Sequence, residues 1–171
     1  MRATAIQRTG AASFEDLKPA CQILILHEDF SAYTRAVEVC QRVMQRFAST
    51  LDFNIKCWNF IELADPNCAR HAAKTAAAAD IVLISRVGTH PRLELDRWLD
   101  ECFASRFKTE GVLALVLNAP ESQPLEWAKL SGRLEQLAGR LGMDFISLHP
   151  ADDAAVTHLL PAAIAPPEIR Q

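Results

Sequence analysis

Five short apolar runs alternate with amphipathic stretches of helix length along this chain, and that alternation leaves few folds open. The runs are Gln22–Leu26, Phe53–Trp58, Ile81–Ile84, Val112–Leu117 and Met143–Leu148. The first and third are continuously apolar, as expected of parallel strands covered by helices on both faces. The second, Phe53-Asn54-Ile55-Lys56-Cys57-Trp58, alternates polar with apolar and suits a half-exposed edge strand. Parallel strands need helix-length, right-handed crossovers. The predicted fold is therefore a three-layer α/β/α sandwich around a five-stranded parallel sheet of order 2-1-3-4-5, with the alternating strand at an edge.

The intervening segments carry helix signals of their own. Tyr33, Ala36, Val37, Cys40, Val43, Met44 and Phe47 share one stripe, with Arg35, Glu38, Gln41, Arg42, Gln45 and Arg46 opposite. Asp65-Pro66 supplies an N-cap and a first-turn proline for an alanine-rich helix over Cys68–Ala79. Further helices are predicted over Leu93–Phe107, after the polar Glu121-Ser122-Gln123-Pro124 as far as Leu141 with Gly142 as its cap, and over Ala151–Leu160 ahead of Pro161.

At 171 residues with 50% hydrophobic side chains, the chain has the length and composition of one domain with a sizeable core. Residues 1–20 read as a flexible lead-in, 21–165 as the domain and 166–171 as a frayed tail. The net charge of -3 is spread without a basic stripe, which argues against nucleic acid and anionic membranes as partners. No apolar run is long enough to span a bilayer and the N-terminus lacks a signal-peptide core, so a cytoplasmic protein is expected. The five cysteines, Cys21, Cys40, Cys57, Cys68 and Cys102, form no CxxC pair and read as small buried hydrophobes in a reducing compartment.

Chemistry is expected where strands hand over to helices, because ligands of open α/β sheets gather at the strands' carboxyl ends. The first strand ends in His27-Glu28-Asp29. Two readings apply to the acidic pair: Asp29 or Ser31 caps the following helix, or Glu28 and Asp29 hold a divalent cation such as magnesium. The loop after the third strand, Ser85-Arg86-Val87-Gly88-Thr89-His90-Pro91, brings Arg86, His90 and Arg92 together as a cluster able to accept an anion or simply to be solvated. Trp58 and Phe60, read as edge-strand residues, and Trp98 and Trp127, read on helices, are taken as packing residues.

Several activities lack their motifs. None of the six glycines stands in a nucleotide-binding GxGxxG or GxxxxGK[ST] arrangement. The carboxylates after strand one would repel a flavin phosphate, which disfavours FMN, and no organic cofactor is expected. No serine sits in a GxSxG elbow, and the histidines show no metal-ligand spacing. A triad of Ser85, His27 and Glu28 or Asp29 would need hydrogen-bond distances across the strand ends.

In order along the chain, these segments resemble the receiver domain of two-component response regulators. ILILHEDFSAYTRAVEVC is similar to the receiver opening, with Glu28 and Asp29 on its acidic pair. DIVLIS is similar to the third receiver strand, which ends in the phosphate-accepting aspartate; here that position is Ser85. Asn118-Ala119 falls on the Thr/Ser-Ala switch and His149-Pro150 on the Lys-Pro pair. The resemblance implies a receiver scaffold, of flavodoxin-like topology, whose phosphorylation chemistry has been replaced. A serine there has no evident activating base, and a histidine is a cation only part of the time near neutral pH.

The expectation is a non-catalytic signalling or regulatory domain, a pseudo-receiver, acting on another protein, with a homodimer through the faces near the last helices as one form of contact. The rival is a small-molecule-binding protein or hydrolase-type enzyme using a crevice of His27, Glu28, Asp29, Ser85, Arg86, Asn118 and His149. The DIVLIS strand is also similar to TIR-like domains, though no catalytic glutamate pattern accompanies it.

Overall fold

The computed structural model describes residues 18–88, 92–101, 103, 110–117 and 124–148. Its elements, in chain order, are β1 (Ala20–His27), α1 (Phe30–Phe47), β2 (Asp52–Asn59), a short 3-10 helix (Phe60–Ala64), α2 (Pro66–Ala78), β3 (Ile81–Arg86), α3 (Leu93–Glu101), β4 (Val112–Leu117), α4 (Pro124–Arg140) and β5 (Asp144–Leu148). The five strands form one parallel sheet of order β2-β1-β3-β4-β5, the arrangement the alternation implies. The helix expected over Ala151–Leu160, the tail, and the lead-in through Leu17 lie outside the described residues.

Burial follows strand position. Every residue of β3 and β4 is buried, as the middle of a doubly covered sheet requires. β2, at the edge, alternates over most of its length between exposed and half-buried residues. Successive side chains of a strand point to opposite faces, so β1 divides its core between two layers. Cys21, Ile23 and Ile25 pack with Ala36, Val39, Cys40 and Val43 of α1. Leu24 and Leu26 pack on the opposite face with Ala72 and Ala76 of α2, Trp98 and Leu99 of α3, and Leu134 and Leu137 of α4.

The ends of the elements are set by specific side chains. Asp29 is the N-cap of α1, its carboxylate accepting the Ala32 amide at 2.8 Å, whereas Ser31 lies inside the helix. Asp65 caps α2, with Pro66 at the first helical position. The turn that closes α4 carries Gly142, whose φ of 68° suits glycine. There the Met143 amide donates to Ala138 O at 2.9 Å and the Gly142 amide to Gly139 O at 3.3 Å, a Schellman closure.

Two details differ from the sequence expectation. Phe60 belongs to the 3-10 helix rather than to the edge strand, and it is buried. That helix is held by a capping box in which the Asn59 amide donates to Glu62 Oε2 at 2.7 Å and Asn59 Oδ1 accepts from the Ile61 amide at 2.9 Å. The cysteines also divide: Cys21 and Cys40 are buried, Cys68 is half-buried and Cys57 is exposed. Cys57 sits on β2, the edge strand of the described sheet. Cys102 lies outside the described residues, as do residues 104–109, the end of the expected third helix.

Candidate functional site

The carboxyl ends of β2, β1 and β3 are latched together by main-chain atoms of Glu28. Its amide donates to Ser85 O at 3.1 Å, and its carbonyl accepts Asn59 Nδ2 at 3.3 Å. His27 pairs in register with Ser85 and Asn59, which places the acidic pair one step beyond the sheet.

Strand parity then separates the side chains. Ile81, Leu83 and Ser85 share the face that looks at α1; Val82, Ile84 and Arg86 share the other. Ser85, 1% exposed, donates its hydroxyl to Ala32 O in the first turn of α1 at 2.7 Å. His27 lies on the same side, its ring 5.1 Å from that of Tyr33 and its Nδ1 3.2 Å from Asp29 O. Asp29 is occupied with the helix cap. Ser85, His27 and Asp29, which a hydrolytic triad would have to bring together, thus each bond to a backbone group, and the Ser85 hydroxyl donates to a carbonyl rather than to a base.

Glu28 turns the other way, into a cluster of donors after β3. Its Oε2 accepts the Val87 amide at 3.1 Å and the Gly88 amide at 3.4 Å, with Arg86 Nε at 3.7 Å. Its Oε1 accepts Arg92 Nε at 2.6 Å and also pairs with the second guanidinium nitrogen of Arg92. The Glu28 side chain is 9% exposed, that of Arg86 2% and that of Arg92 50%. Burial pushes the Glu28 carboxyl upward, but the Arg92 and Val87 hydrogen bonds and the fields of both arginines outweigh it and hold the carboxyl below its ordinary value. Burial pulls Arg86 below the usual arginine range, opposed by Glu28 and Asp96. The guanidinium stays cationic at neutral pH.

Of the residues singled out in the sequence, the structure brings together Glu28, Arg86 and Arg92, and keeps Ser85, His27 and Asp29 on a different set of partners. His90, Asn118 and His149 lie outside the described residues. Among the described residues, no group of three or more His, Cys, Asp or Glu side chains is placed to hold a metal ion. The acidic pair does not converge: Glu28 faces guanidinium groups and Asp29 faces the α1 amides.

One feature that sequence reasoning missed is an apolar rim. Phe30, Ile61, Leu93 and Leu125 are largely exposed, and each lies in the first turn of the helix that follows β1, β2, β3 or β4. A groove of about 370 Å³ opens between the 3-10 helix, α2 and α3, lined by Leu63, Pro66, Ala69, Leu93 and Trp98. Trp98 is anchored there by donating Nε1–H to Ala69 O at 3.0 Å. No helix of the described residues is long and apolar enough to cross a membrane.

Comparison with solved structures agrees on architecture. A flavodoxin of Streptococcus pneumoniae TIGR4 superposes with a TM-score of 0.54 at 11% identity, over 82% of this chain and 92% of its own. A short-chain flavodoxin associated with a PDU bacterial microcompartment gives 0.53 at 11% identity, over 80% of this chain and 89% of its own. No protein-family model matches the sequence, and no curated protein matches it. At this identity the likeness is one of fold: the chain has a flavodoxin-like α/β architecture, and its function has to be argued from its own side chains.

Proposed function

We propose that this chain is a non-catalytic regulatory domain, receiver-like in scaffold, that works by contact with another protein and carries no phosphoryl switch. The observation behind this reading is the use to which the strand-end polar groups are put. Ser85, at the position of the receiver's acceptor, is buried and donates to Ala32 O. The carboxylate of Glu28, which a magnesium ion would need, is already bonded to Arg92, Val87 and Gly88. A cation approaching Glu28 would have to displace a guanidinium and would meet the charge of Arg86. The exposed rim of Phe30, Ile61, Leu93 and Leu125 supports the protein-contact half of the proposal, since apolar residues gathered at one edge mark interaction surfaces.

Flavodoxins share the fold, which raises a flavin as a rival occupant of the same edge. The turn after β1 does not fit a flavin phosphate. Asp29 takes the Ala32 amide at the start of α1, so a carboxylate already stands where the phosphate would be received. Calorimetric titration with magnesium tests the proposal, with flavin absorbance recorded on the same purified protein. The expected result is no saturable heat and no flavin; micromolar magnesium affinity or copurified flavin contradicts the reading.

A further inference from the structure

The donors around Glu28 have the composition of an anion site. Two guanidinium groups and two consecutive backbone amides converge on one carboxylate, contributed by residues 86–88 and 92. Arg86 cannot leave: its side chain is 2% exposed and belongs to the last residue of a fully buried strand. Buried charge of this kind needs a compensating anion. The anion is supplied from 58 to 64 residues away in sequence, by a side chain whose own backbone is held separately through Ser85 O and Asn59 Nδ2. The carboxylate is therefore a guest in a cradle built by another loop.

Arg92 is half exposed, and among the described residues nothing lies within 4 Å of the point where a side chain on Gly88 would begin. Phe30 and Leu93, both exposed, sit two residues after Glu28 and one residue after Arg92, so apolar surface adjoins the charged centre in sequence on both sides.

We infer that the Arg86, Val87, Gly88 and Arg92 cradle is a binding site for a small organic carboxylate, occupied in this structure by Glu28 as an internal ligand. An external carboxylate takes the same donors when the Glu28 side chain swings out, and the exchange breaks the side-chain tie between the β1–α1 turn and the loop after β3. No bond is made or broken covalently; one carboxylate replaces another. This goes beyond the proposed protein-contact role and does not rest on it, because a regulatory domain without a ligand and a ligand-binding domain without a protein partner are both consistent with one half failing.

The test is titration of wild-type protein, Glu28→Ala and Glu28→Ala/Arg92→Ala with acetate and propionate, following the Val87 and Gly88 amide signals by NMR at constant ionic strength. Chloride and inorganic phosphate serve as comparison anions. Glu28→Ala is expected to show saturable shifts with the carboxylates at least tenfold tighter than the wild type, which itself saturates, and the double variant to lose them. Glu28→Gln, which keeps the side-chain volume, replaces Glu28→Ala in the same titration if the latter does not fold. Failure of wild-type amides to saturate, or equal response to chloride, overturns the inference, as does retention of the shifts in the double variant.

Discussion

Asp80, which precedes β3, shows how much one polar side chain can organise. Its amide donates to Gln22 O and its carboxylate accepts the Gln22 amide, both at 2.8 Å, while its carbonyl accepts the Val112 amide at 2.9 Å. It thus joins β1, β3 and β4 at their amino ends. Asp80→Ala leaves the Gln22 amide without its side-chain acceptor and is expected to cost about 1–3 kcal/mol, measured by chemical denaturation. A change below a few tenths would show that water replaces the carboxylate.

Glu28 anchors the opposite end, and its contribution depends on pH. A carboxyl held below its ordinary value contributes stability that is complete above the unfolded value, 4.5, and is lost as pH falls through the lower folded value. Wild type should exceed Glu28→Gln in stability at neutral pH, by more than the ~1 kcal/mol of a surface pair and less than the roughly 3–5 kcal/mol of breaking a fully buried one. The two unfolding curves should converge below pH 4.5. Parallel curves across that range would mean that the arginine cradle does not favour the charged form.

The elements themselves were largely legible in the sequence. Continuous apolar runs at 81–84 and 112–117 mark doubly covered strands, and the alternation of 53–58 marks the edge. Asp65-Pro66 and Gly142 delimit helices as their backbone chemistry dictates. The 3-10 helix carried a signal too, since Asn59 followed three residues later by Glu62 is a capping-box pattern. Strand parity was equally available: Ser85 continues the α1-facing series of Ile81 and Leu83, and Arg86 the other, so the two cannot line one pocket wall. What no local pattern revealed is the pairing of Glu28 with Arg86 and Arg92. The arginines read as an anion-accepting cluster, but that their anion comes from the β1–α1 turn depends on β1 and β3 being neighbours.

Burial, together with Cys57 and Cys21, pushes the Cys40 thiol up to about 12, while Cys57 is exposed on the edge strand. Among the described cysteines, alkylation of native protein near pH 8 should reach Cys57 first and spare Cys21 and Cys40, as peptide mass mapping would show. Early labelling of Cys40 would indicate that α1 detaches from the sheet.

For the molecule as a whole, a common fold carries a strand-end site whose polar groups are turned to structural use. Ser85 ties β3 to α1, Asp29 starts α1, and Glu28 clamps the β1–α1 turn to the loop after β3. Phe30, Ile61, Leu93 and Leu125, in the first turns of the helices that follow β1 to β4, leave apolar surface exposed at the same edge of the sheet. The central claim is that the scaffold carries no phosphoryl switch, and intact-mass spectrometry after incubation with acetyl phosphate and magnesium tests it most directly. The account predicts an unchanged mass; the gain of one phosphoryl group on Ser85 would contradict it.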